Sequence, residues 1–215
     1  MKVLMFSADS SILESGSAAQ KRMMEYGQLV EKLFIVIASK KQSGKEILDI
    51  SPNVQIYAFS FWSALSGLGK IFVAENIALV TAQDPFETGL IGYLAARQLK
   101  AKLQLQIHTD FLNPYFSRES LKNKIRVWLA KRLLPHADSI RVVSNRIKDS
   151  LSKVNRQLSK VFILPIFVDV QKIQSTSVIA DLHKKYPQFG TIILVASRLT
   201  QEKNILLAIK AMDKV

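Results

Sequence analysis

No cysteine occurs among the 215 residues, which removes disulfide scaffolds, thiolate metal sites and cysteine nucleophiles together. Nor is there a run near the ~18 uninterrupted apolar residues that a membrane span needs. The stretch from Ile71 to Ala82 comes nearest and is broken by Glu75 and Asn76. The opening Met1–Phe6 is too short an apolar run before Asp9 and Glu14 to act as a signal peptide. No G-x-G-x-x-G, H-E-x-x-H or G-x-S-x-G is present. The absence of any D-x-D argues against a carboxylate-clamped divalent metal carrying a diphosphate, so no metal and no cofactor is expected. Ser66-Gly-Leu-Gly-Lys70 falls short of a phosphate-binding P-loop, with Ala64 where its first glycine belongs and Ile71 where a metal-binding hydroxyl belongs. A cytoplasmic, non-redox globular protein is the expectation that remains.

Acidic residues are also scarce: 17 Asp and Glu stand against 30 Lys and Arg, a net charge of +13. Twelve bases and three acids fall between Arg118 and Lys160, so this segment carries nine of those charges. A field of that sign attracts nucleic acid, anionic lipid headgroups or phosphorylated substrates. Nucleic acid is disfavoured, because no recognition motif appears and aromatics are not interleaved with the bases. Leu121, Ile125, Trp128, Leu129 and Leu133 trace a helical stripe, with Lys122, Lys124, Arg126, Lys131 and Arg132 on or beside the other side. Two readings stand: an interfacial helix on an anionic membrane surface, over residues 118–133, or a surface helix packed on a sheet.

What is present is alternation. Strand-like runs are predicted at Val3–Ser7, Leu33–Ala38, Val54–Phe59, Ile77–Ala82, Leu103–His108, Ser139–Val143, Val161–Leu164 and Ile192–Ala196. Helical periods fill Ala18–Glu31, Thr88–Lys100, Leu121–Leu133, Arg146–Val154 and Glu202–Met212. Strands separated by helices imply right-handed crossovers and a Rossmann-like, doubly wound α/β fold with a parallel sheet. Breakers divide the chain into a domain at 1–170, a linker at 171–189 and the opening βα unit of a second Rossmann-like domain at 190–215. That last unit is too small to bury its own faces, so the chain is expected to be incomplete.

Ligands of such sheets bind beyond the carboxyl ends of the strands. Gly16, with small residues leading into a helix, lets backbone N–H groups approach phosphate or sugar oxygens, though Ser17 equally reads as an ordinary N-cap. Asp84-Pro-Phe-Glu87 reads as a capping box, with Asp84 as N-cap, Pro at N1 and Glu at N3. His108 ends a strand at the ligand edge, where imidazole donates a hydrogen bond or serves as acid or base. Arg198 and Lys203 bracket a helix start and are placed to hold one anion.

In order along the chain, Ala82-Gln-Asp-Pro-Phe-Glu-Thr-Gly-Leu90, His108-Thr-Asp110, Ala137-Asp-Ser-Ile-Arg-Val-Val-Ser144 and Leu164-Pro-Ile-Phe-Val-Asp169 resemble the amino-terminal domain of family 4 glycosyltransferases. Val195-Ala-Ser-Arg-Leu-Thr-Gln-Glu-Lys-Asn204 resembles the opening of that family's donor-binding domain. The resemblance implies a GT-B architecture and metal-free, retaining transfer of sugar from a nucleotide-sugar to a lipid-linked or polysaccharide acceptor. It places Gly16 near the donor phosphates, His108 on the transferring sugar, and Arg198 and Lys203 on the diphosphate leaving group. The first loop holds Ser15-Gly16 where paired glycines are common. The E-x7-E element of the donor domain would lie beyond Val215, so these residues are expected not to turn over alone. A non-catalytic acceptor- or membrane-binding module, and a nucleotide-sugar 2-epimerase, are the alternatives.

Overall fold

The computed structural model describes residues 1–38, 46–60, 71–154, 158–177, 179–197, 199 and 203–212. It divides by internal packing into Met1–Ile166 and Phe167–Val215. The first unit is an eight-stranded sheet: β1 (Lys2–Ser7), β2 (Lys32–Ala38), β3 (Glu46–Ser51), β4 (Val54–Phe59), β5 (Ile77–Ala82), β6 (Lys102–Ile107), β7 (Ser139–Val142) and β8 (Val161–Ile163). Their order across the sheet is β3-β4-β2-β1-β5-β6-β7-β8. Every neighbouring pair is parallel except β3 with β4. The chain winds outward from β1 to one side through β2 and β4, then resumes at β5 and winds to the other.

Among the described residues the helices of this unit are α1 (Ala18–Gly27), α2 (Glu87–Leu99), the short α3 (Pro114–Arg118), α4 (Leu121–Leu133) and α5 (Asn145–Ser152). Central β1 reads as a continuous apolar run because both its faces are covered. Leu4 and Phe6 join one core cluster with Ile91, Ala95 and Ala96 of α2, Ala130 and Leu133 of α4, and Ile147 and Leu151 of α5. Their alternates, Val3 and Met5, pack on the opposite face with Ile12 and with Ala19 and Met23 of α1. Toward the edge the pattern changes. In β6, Leu103, Leu105 and Ile107 enter the first cluster, while Gln104, Gln106 and His108 point to the other face. There Gln106 donates to Thr81 of β5 and accepts from Arg141 of β7.

Three expectations need correction. The sequence pattern does not mark β3, a partly exposed edge strand running antiparallel to β4. Residues Ile192–Ala196 form no strand, because a strand exists only through a hydrogen-bonded neighbour and none is present among the described residues. The capping box at Asp84 is displaced as well: α2 begins at Glu87, and its N-cap is Phe86, which makes no side-chain cap. Asp84 Oδ1 instead accepts from the Phe86 N–H at 2.7 Å, a turn formed before the helix starts. Glu87 is drawn sideways to Arg126 of α4, whose Nε lies 3.0 and 2.9 Å from its two oxygens.

The second unit contains α6 (Val170–Ser175), α7 (Leu182–Lys185) and α8 (Ile205–Met212). None of its described residues is buried. The two sheet edges of the first unit are unlike: β8 is three residues long, and β3 carries Glu46 and Asp49.

Candidate functional site

All the parallel strands point their carboxyl ends to one edge, and β1 and β5 are where the winding reverses. In open sheets that reversal opens a crevice at the edge. The tops of the two strands are stitched together there: Gln83 N–H donates to the Phe6 carbonyl at 3.0 Å, and Ser7 Oγ donates to Gln83 Oε1 at 2.6 Å. Asp9 then caps a short 3-10 turn, accepting from Ser11 N–H and Oγ at 3.1 and 2.6 Å. The loop reaches α1 through Gly16, whose φ of +76° is the left-handed region that side-chain-bearing residues rarely adopt.

Gly16 N–H is taken by Gln20 Oε1 at 3.0 Å. Ser17 is the N-cap of α1: its Oγ accepts from Gln20 N–H at 3.0 Å and donates to the Ser11 carbonyl at 2.7 Å. Both residues therefore shape the loop with their own polar groups. Helix geometry leaves the N–H groups of Ala18 and Ala19 without an intrahelical carbonyl, so they are the donors this turn can offer an incoming oxygen.

His108 follows β6 on the same edge, two strands from β1, a lateral separation of roughly 10 Å. Partial burial of the ring, and then the positive charge of Arg141, hold its pKa below the usual imidazole value of 6.5. Arg141 is fixed in turn, its Nη1 3.1 Å from Gln106 Oε1 and its Nε 3.3 Å from the Leu164 carbonyl. The neutral imidazole is the form this setting favours, one able to accept or donate a hydrogen bond at neutral pH.

Two carboxylates on this edge escaped the sequence reading as ligand-side groups. Asp84, at the top of β5, has its pKa raised by burial, against the lowering effect of bonds from Thr88 and the Phe86 N–H. Asp110, two residues past His108, has a side chain only 9% exposed and pairs through Oδ2 with Arg146 Nε at 3.6 Å. Its Oδ1 is buried without a hydrogen-bond partner. The available signal was position alone, since each follows a strand at the ligand edge.

Of the residues singled out from sequence, Gly16, Ser17 and His108 thus share one edge of the first unit. Lys203 lies in the second unit, exposed, just before α8. Arg198 and the Ser66–Lys70 segment lie outside the described residues. Among the described residues no three His, Asp or Glu side chains gather to hold a metal ion, and no helix is long and apolar enough to cross a membrane. A recess of about 480 Å³ lined by Tyr93, Arg97, His136 and Asp138 opens where β6 and β7 begin, at the opposite edge.

The family model for Glycosyltransferase Family 4 matches residues 46–172, more than half of the chain. Solved structures of sucrose-phosphate synthase from Thermosynechococcus elongatus share the fold. One has 14% identity and a TM-score of 0.60, covering 79% of this chain and 49% of that one. A second, a segment of the same enzyme, has 12% identity and a TM-score of 0.55, covering 87% of this chain and 98% of that one. Anabaena HepE in complex with UDP-glucose matches with 14% identity and a TM-score of 0.54, over 87% of this chain and 49% of that one. The chain therefore spans about half the length of HepE and of the longer synthase structure. No curated protein sequence matches it.

Proposed function

Since the chain belongs to glycosyltransferase family 4, we propose that it serves a retaining transfer of sugar from a nucleotide-sugar to a lipid-linked or polysaccharide acceptor, working from the cytoplasmic side at the inner face of a membrane. One observation carries this reading: a neutral-biased imidazole stands on the same sheet edge as a glycine-led helix start, across the point where the winding reverses. HepE, of the same fold, is a UDP-glucose complex, which supports a nucleotide-sugar as the donor.

In this mechanism the loop at Gly16 and Ser17 brings the start of α1 against donor phosphate or sugar oxygens. His108 contacts the transferring sugar through a hydrogen bond that the neutral ring makes without adding positive charge near the anomeric centre. Arg198 and Lys203 stabilise the diphosphate as negative charge grows on it during bond cleavage, the work a metal does elsewhere. No E-x7-E occurs among the 215 residues, and we expect no sugar transfer by these residues alone.

The test is chemical analysis of cells in which His108 is replaced by Ala in the chromosomal gene. Loss of one glycan or glycolipid by roughly a hundredfold, in which the wild-type linkage keeps the anomeric configuration of the donor, is the expected result. An unchanged glycan profile, or accumulation of one epimer of a nucleotide-sugar, overturns the assignment.

A further inference from the structure

The stripe that the sequence places on one side of α4 is divided by the structure between two faces. Leu133 is buried and Leu129 and Val127 pack against the core, together with Ala130. Leu121, Ile125 and Trp128 turn outward, with 73, 58 and 59% of their surfaces exposed. At about 100° per residue these three, with Arg132, fall along a single outward ridge. Lys122 flanks it on one side, and Lys124 and Lys131 on the other, all exposed. Arg132 itself lies over the Trp128 ring, 5.6 Å from its centroid. The helix contains no acidic residue. Nearby Glu119 is held by Asn123 Nδ2 at 3.0 Å, and Glu87 by Arg126 and Lys122.

We infer that this ridge is a docking surface for an anionic lipid bilayer. A row of large apolar side chains bordered on both sides by cations, with an indole in the row, matches the layered chemistry of a bilayer boundary: acyl chain beneath, phosphate level with the bases. A protein partner would need acids placed opposite each cation, whereas a lipid surface supplies them without register. The position gives the docking its use, and here the inference rests on the glycosyltransferase reading. Lys122 reaches Glu87 at 3.5 Å, and Glu87 begins α2 at the carboxyl end of β5. The ridge therefore starts beside the edge that carries His108, so a bilayer resting on it presents lipid headgroups at that edge. The acceptor class that follows is a membrane-embedded, lipid-linked one.

The test uses the whole chain with Trp62→Phe, which leaves Trp128 as the single indole. It is mixed with phosphatidylcholine vesicles, and with vesicles in which roughly one lipid in three is phosphatidylglycerol. With the anionic vesicles, Trp128 emission is expected to shift to the blue, to be quenched by lipids brominated on the acyl chain, and to lose both effects in high salt. Adding Leu121→Ser and Ile125→Ser should weaken vesicle binding by about tenfold or more while leaving the melting temperature in place, because both side chains are already in water. Lys124→Glu with Lys131→Glu should weaken it comparably. Trp128 left unquenched, equal binding to both vesicles, or full binding by the double Ser variant overturns the inference. So does a ridge whose loss changes only self-association in sedimentation. None of these readouts depends on sugar transfer, so failure here leaves the enzymatic reading to its own test.

Discussion

His108 and Arg141 form a small electrostatic couple on one face of β6 and β7. The lowered pKa has two causes of different origin, burial first and the guanidinium second, and they are separable. In an NMR titration the wild-type imidazole should turn over below pH 6.5, and Arg141→Gln should move the midpoint upward while burial keeps it from rising fully. The sign for activity follows: sugar transfer that needs the neutral ring is complete above the midpoint and declines as pH falls through it. An unmoved midpoint in the Arg141 variant would refute the coupling. Two glycines give a second contrast at this scale. A Cβ on Gly89 would sit 2.8 Å from the Asp84 carbonyl oxygen, a backbone atom that cannot swing aside. Gly89→Ala should therefore cost about 1–3 kcal/mol in denaturant melts. Around Gly16 a Cβ meets nothing within 4 Å, so Gly16→Ala should cost only the backbone term, about 1–2 kcal/mol.

Among elements, α2 and α4 are joined at their exposed margin by the Arg126–Glu87 pair, with Arg126 also over the Phe86 ring at 5.4 Å. Each side chain keeps about a third of its surface in water, so screening limits the bond. A double-mutant cycle of Arg126→Ala and Glu87→Ala should give a coupling of about 1 kcal/mol. β1, β2 and β5 were legible because parallel strands covered on both faces leave nearly unbroken apolar runs, β6 because its Leu and Gln residues alternate, and the helices between them show their own period. β3 was not, because Glu46-Ile-Leu-Asp-Ile-Ser51 is a partly solvated edge with neither a continuous run nor clean alternation. The α4 stripe misled for the opposite reason: apolar residues stand on both its faces, and sequence spacing alone cannot say which face meets the sheet. At the site, position along the strands pointed to His108 and the Gly16 loop. The bond from Gln20 N–H to Ser17 is the N-cap that the sequence offered, whereas the bond from Ser17 to the Ser11 carbonyl depends on a loop turning back on itself, which no spacing encodes.

For the whole molecule, the two units differ in how they hold themselves. Met1–Ile166 buries apolar side chains on both faces of its sheet, whereas among the described residues of Phe167–Val215 none is buried and Ile193, Leu194, Leu206 and Leu207 are exposed. Backbone without buried side chains opens readily. Limited proteolysis followed by mass spectrometry should find the early cuts in 167–215, with a resistant product ending near residue 166. Early cuts inside β1, β5 or β6 would contradict that expectation. The margins of the sheet bear on crowding rather than catalysis. A fibril grows by laying fresh chain along a long, flat, uncharged border, and the sheet formed by the described residues has none: one border stops after three residues and the other bears carboxylates. Concentrated protein should accordingly resist cross-β aggregation seeded from either side.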